Sequence, residues 1–137
     1  MKKFYVCWVD DIKDFVKSYD GHIDILKTKH DVDFIIDEHL NADNFESIAR
    51  NIGDDLIFFV DYNLKSNDGK GIDGDAVIKL IRKHNQKCIV VFYSSKATQE
   101  ELRKLLPSVV NVICVLRESL QDVLTEIADG TIHQRLK

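Results

Sequence analysis

Five short apolar runs, at 4–9, 32–36, 56–60, 89–93 and 112–116, decide what this chain can fold into. Each is unbroken and rich in Val, Ile, Phe or Tyr, the pattern of strands covered on both faces. Between them the period changes. Ile12, Phe15, Val16, Tyr19, Ile23 and Leu26 recur at helical spacing, with Gly21 weakening that helix by about 1 kcal/mol relative to Ala. Phe45, Ile48, Ala49 and Ile52 form a second stripe closed by Gly53. Val77, Leu80 and Ile81 form a third, with Asp73 and Asp75 suited to its positive N-terminal end. Thr98 and Glu101 stand at capping-box spacing ahead of Leu102, Leu105 and Leu106, and Pro107 stops that helix. Leu120, Val123, Leu124 and Ile127 make the fifth stripe, ended by Gly130. Five strand–helix alternations predict a parallel sheet with helices on both faces.

With 137 residues the chain is expected to form a single domain over 1–137, with no separate output domain. A composition 45% hydrophobic and 31% charged is that of a globular chain rather than a disordered one. The net charge of −4 argues against a nucleic-acid surface, which needs clustered Lys and Arg. Lys2-Lys3 and the first apolar run mimic a signal peptide, but Asp10-Asp11 ends the run too early. No stretch reaches membrane-spanning length, and a cytoplasmic location is expected. Cys7, Cys88 and Cys114 fall in or beside predicted strands without a CxxC pair and read as buried reduced thiols. The five His residues, His22, His30, His39, His84 and His133, lack ligand spacing.

The chemistry lies where strands end. Asp10 and Asp11 close the first apolar run and Asp61 closes the third. Carboxylates directly after parallel strands meet at the carboxyl edge of the sheet, where open α/β folds bind ligands. Each pair there repels by about 4 kcal/mol at ~4 Å and an effective dielectric near 20. Such a cluster suits a hard divalent cation, Mg²⁺ above all. Asp10 and Asp11 could instead cap the first helix. Ser94, or its neighbour Ser95, follows the fourth run, and Arg117 the fifth, with Lys96 as a second candidate cation.

This arrangement resembles a response-regulator receiver domain over roughly positions 4–129. Asp10-Asp11 after strand one, Asp61 after strand three, Ser94 after strand four and the pair Asp73-Gly74 opening helix three carry the resemblance. It implies a flavodoxin-like, doubly wound (βα)₅ fold with strand order 2-1-3-4-5. It also implies a phosphoryl group accepted on Asp61 from a histidine kinase or histidine phosphotransfer protein, and a downstream protein partner. Asp11 would ligate Mg²⁺ directly and Asp10 mostly through water, with Asp61 and the Asn63 backbone carbonyl completing the set. Ser94 would hydrogen-bond the phosphoryl group.

Three features depart from that pattern. Arg117 stands where receivers carry Lys, and a planar fork is not a compact ammonium. Cys114 occupies the aromatic switch position. The segment 65–72 is longer than usual, a lid or a surface insertion; its Asp68-Gly69 and Gly71 suggest turns. Two other readings stand beside the phosphorylated receiver: a degenerate receiver that binds partners without phosphorylation, and a Mg²⁺-dependent aspartyl phosphatase. Haloacid-dehalogenase-type phosphatases carry an Asp-x-Asp motif first and a paired acid later, the reverse of the order here.

Overall fold

The computed structural model describes residues 1–42, 45–50, 53–64, 73–109 and 111–136. The predicted strands form as β1 (Lys2–Val9), β2 (Val32–His39), β3 (Leu56–Asp61), β4 (Ile89–Ser94) and β5 (Val112–Leu116). All neighbours pair in parallel, in the order β2-β1-β3-β4-β5, the predicted doubly wound arrangement. The helices are α1 (Asp20–His30), α2 (Phe45–Ala49), α3 (Gly74–His84), α4 (Gln99–Lys104) and α5 (Leu120–Asp129). Ile52 and the segment 65–72 lie outside the described residues.

Period-2 alternation sends the sheet's side chains into two cores. Trp8, Phe34, Phe59 and Val115 meet Leu26 of α1 and Val123 and Leu124 of α5 on one face. Val9, Phe58, Val60 and Phe92 meet Phe45 of α2, Ile78 of α3 and Leu102 of α4 on the other. The expectation of strands covered on both faces holds for β3 and β4 and fails for β2. This strand buries only Val32 and Phe34 and leaves Ile35 exposed, although β5, the other edge of the sheet, buries Ile113, Cys114 and Val115.

Local signals set most helix ends. The Thr98 hydroxyl accepts from the Glu101 amide at 3.1 Å, and Gly130 closes α5 at φ +85°. Helix α1 is shorter than its apolar spacing predicts. The Asp10 carboxylate accepts from the Ile12 amide at 2.9 Å, opening a turn rather than capping a helix. Asp14 then adopts φ +65°, and a 3-10 turn at Val16–Tyr19 precedes the α-helix. Gly21 therefore sits in the first turn of α1, where its cost is smaller than at mid-helix.

Arg82 is buried, and its guanidinium donates to the carbonyls of Asn85, Cys88 and Asn111 at 3.2, 2.9 and 3.0 Å. It ties the end of α3 to the starts of β4 and β5. The three cysteines are buried and free. Burial, aided by Asp37, pushes the Cys7 thiol up to about 12, so it stays protonated and unreactive. Among the described residues no helix is long and apolar enough to cross a membrane.

Candidate functional site

The strand ends converge because of parity and register. Trp8, Phe59, Tyr93 and Val115 all face the α1/α5 core. Two residues on from three of them, Asp10, Asp61 and Arg117 leave the sheet with the same parity. Val9 is paired with Val60, and Asp61 with Tyr93, so these ends are level. Asp10 is 0% and Asp61 1% exposed, whereas Asp11 is exposed. One carboxylate oxygen from each of the three lies within 4.8 Å of the others. Asp10 and Asp11 are thus part of an acidic cluster fifty residues from its third member.

Two of these carboxylates are anchored. Asp10 Oδ2 accepts from the Tyr93 hydroxyl at 2.6 Å, and that hydroxyl accepts from the Trp8 indole N–H at 2.8 Å. Asp61 Oδ1 takes a long contact of 3.4 Å from the Asn63 amide. Arg117 Nη2 donates to Asp61 Oδ2 at 3.1 Å and reaches Asp10 Oδ2 at 3.5 Å. Its guanidinium lies 4.8 Å from the Phe15 ring centre and 5.9 Å from that of Tyr93, in cation–π range.

Burial dominates the electrostatics. It raises the Asp61 carboxyl from 3.8 to about 7, with Asp10 adding to the rise and Arg117 opposing it. Asp10 is also raised by burial, against the hydrogen bonds from Tyr93 and Ile12. Burial first, then the Asp10 charge, pushes the Tyr93 hydroxyl well up, so it remains a donor.

Ser94 is buried at the end of β4, and its hydroxyl oxygen accepts from the amides of Lys96 and Ala97 at 3.2 and 3.1 Å. Those bonds hold the loop that follows, and among the described residues the hydroxyl proton has no acceptor. Ser94 borders two clefts. One, of about 350 Å³, is lined by Tyr19, Ser94, Ser95, Leu116, Arg117 and Glu118. The other, of about 190 Å³, includes Asn63, Ser94 and Lys96. Helix α3 begins against the acidic cluster: the Gly74 amide donates to the Tyr62 carbonyl at 2.9 Å. A Cβ at Gly74 would stand 2.2 Å from the Asp61 carbonyl oxygen, so only glycine fits.

Tyr93 and Phe15 were not singled out as site residues by sequence reasoning. Tyr93 read as one more apolar strand residue, although its period-2 parity matches Val91 and sets it beside Asp61. Phe15 read as part of a helical stripe that the turn at Asp10 interrupts. A hard-oxygen donor set of three convergent carboxylates fits a small divalent cation.

No protein-family model matches the chain, and no curated protein matches it in sequence. Solved structures do match. The BeF₃-activated receiver domain of DrrB, a Thermotoga maritima protein, aligns with TM-score 0.66 at 14% identity, covering 97% of this chain and 99% of that one. A CheY-like response regulator receiver domain protein from Methanospirillum hungatei aligns with TM-score 0.66 at 12% identity, covering 97% and 99%. A response regulator receiver protein from Sinorhizobium medicae gives TM-score 0.65 at 12% identity, covering 97% of each chain. The chain therefore has the CheY-like receiver-domain fold, as its strand-end carboxylates implied.

Proposed function

We propose that this chain is a phosphoacceptor receiver: Asp61 takes a phosphoryl group from the phosphohistidine of a kinase or phosphotransfer protein, with Mg²⁺ required. The carrying observation is the buried Asp61 carboxylate, held within 4.8 Å of two other carboxylates and contacted by a cation. An Asp61 oxygen forms the new P–O bond as the P–N bond to the donor imidazole breaks, and the imidazole keeps that electron pair and takes up a proton. Asp10, Asp11, Asp61 and the Asn63 carbonyl would hold Mg²⁺, which when bound neutralises charge on the phosphoryl oxygens. Tyr93 and the Ile12 amide fix the Asp10 carboxylate for that purpose. Ser94 donates its hydroxyl proton to a phosphoryl oxygen, and Arg117 supplies a second cation.

The domain then acts through protein contacts in the cytoplasm, as a signalling module rather than a multiple-turnover enzyme. The face built from α4, β5 and α5 offers the downstream surface, and α1 an alternative docking face for the kinase. Intact-mass measurement after acetyl phosphate with Mg²⁺, or after a cognate kinase, is expected to show one added phosphate. No mass increase from either donor removes the phosphoacceptor role. Multiple turnover on small phosphate esters would instead favour the phosphatase alternative.

Cation binding has its own signature. The native state alone assembles the three carboxylates, so millimolar Mg²⁺ is expected to raise the melting temperature by mass action. Asp11→Asn should blunt that rise; a melting temperature indifferent to Mg²⁺ would count against the cation.

The degenerate-receiver alternative draws on the Arg117 contacts, since an arginine already shared by Asp10 and Asp61 can substitute for phosphorylation chemistry with a static ion pair. Under that reading, cells carrying Asp61→Asn behave as wild type. Under the phosphoacceptor reading they lose their response.

A further inference from the structure

We propose that Arg117 is a built-in rival of the divalent cation, seated on aromatic rings and displaced from Asp10 and Asp61 when the cation enters. The inference rests on the reading of those two residues as cation ligands. Its basis is positional. Arg117 Nη2 stands 3.1 Å from Asp61 Oδ2 and 3.5 Å from Asp10 Oδ2, and both residues also belong to the cluster that would receive the ion. A guanidinium and a dication held on the same two buried carboxylates repel each other strongly, so entry of the ion weakens the hold of Asp10 and Asp61 on Arg117.

The seat explains why Arg117 rests there. Phe15 and Tyr93 present ring faces to the guanidinium at 4.8 and 5.9 Å. Phe15 is available because the Asp10 turn and the Asp14 left-handed residue break the first helix and fold Phe15 back towards the strand ends. The rest position is also imperfect, since Arg117 Nε is buried with no hydrogen-bond partner among the described residues, a cost that departure relieves. Room to depart exists. The side chain is 22% exposed and borders the cleft of about 350 Å³ that Tyr19, Ser95 and Glu118 also line. Arg117 therefore has two positions, one on the carboxylates and one off them, and ion concentration sets the balance.

Trp8 makes the exchange observable. It is the sole tryptophan and is linked to Asp10 through the Tyr93 hydroxyl. The test is a Mg²⁺ titration of the full chain, followed by Trp8 fluorescence and by calorimetry. Wild type is compared with Arg117→Ala, Arg117→Lys and Phe15→Leu, each checked for folding by its melting curve. Removing the rival charge should tighten Mg²⁺ binding by roughly tenfold in Arg117→Ala. Arg117→Lys, a compact cation without the fork, should gain less. Phe15→Leu keeps the charge but loosens the seat, and should tighten binding by about two- to threefold.

Equal Mg²⁺ affinity in wild type and Arg117→Ala would overturn the rivalry while leaving the cation site intact. Tightening in Arg117→Ala with no change in Phe15→Leu would overturn the aromatic seat, leaving simple charge repulsion. No Mg²⁺ binding by any variant would overturn both this inference and the cation requirement of the proposed function. Should Arg117→Ala not fold, the Phe15→Leu and Arg117→Lys comparisons still decide the matter.

Discussion

Asp61→Asn is expected to abolish phosphate uptake and, in metal-free buffer, to make the fold more stable at pH 8 than the wild type. The first effect follows because an amide oxygen is not a nucleophile towards phosphorus. The second follows from burial. Asp61 has a folded-state pKa of about 7 against an ordinary 3.8, so the fold prefers its protonated form. That preference stabilises fully below 3.8 and is lost as pH climbs through about 7. A shift of that size, which already includes the opposing pull of Arg117, corresponds to at most about 4 kcal/mol. Asn carries no charge at any of these pH values. Urea denaturation of both proteins in EDTA from pH 4 to 8 should give a falling wild-type profile and a flatter variant profile. Parallel profiles would mean that Asp61 is not buried as a charge.

Gly74→Ala should be the more damaging change although it alters no functional group. The added Cβ would lie 2.2 Å from the Asp61 carbonyl oxygen and 2.9 Å from Tyr62 Cα, both backbone atoms that no rotamer can move. Relief requires α3 and the end of β3 to separate, at a cost of roughly 3 kcal/mol, the upper range for overpacking. The shift would fall on Asp61, the proposed nucleophile, so phosphate uptake should drop even in the fraction that stays folded. Gly21→Ala is the control. It meets nothing within 4 Å in the first turn of α1 and should be neutral or slightly stabilising. Equal melting temperatures for the two variants would remove the steric argument.

Much of the fold was legible because its signals are local. Uninterrupted Val/Ile/Phe runs mark covered strands, and those at β3 and β4 are covered as expected. Thr98 caps α4 through an amide three residues away, a contact that spacing alone predicts. Helix α1 misled because the same apolar spacing serves a helix and a folded-back turn. The decision came from the Asp10 carboxylate taking the Ile12 amide. The strand β2 misled for another reason: its apolar run does not say how far the helices cover it, and β5, the other edge strand, is well buried where β2 is not.

The acidic cluster was partly legible, because strand-end residues in a parallel sheet lie along one edge; that Asp10 and Asp61 meet there depends on β1 and β3 being neighbours in register. The order of the residues along the chain thus sufficed to specify the (βα)₅ alternation and the placing of Asp10, Asp11 and Asp61 on one edge. Tertiary structure alone decided how that cluster is held: Tyr93 on Asp10 across 83 positions, and Arg117 bridging Asp10 and Asp61 from a seat on Phe15. Those contacts depend on the register between strands and on one loop's backbone, and neither leaves a periodic trace in the amino-acid sequence.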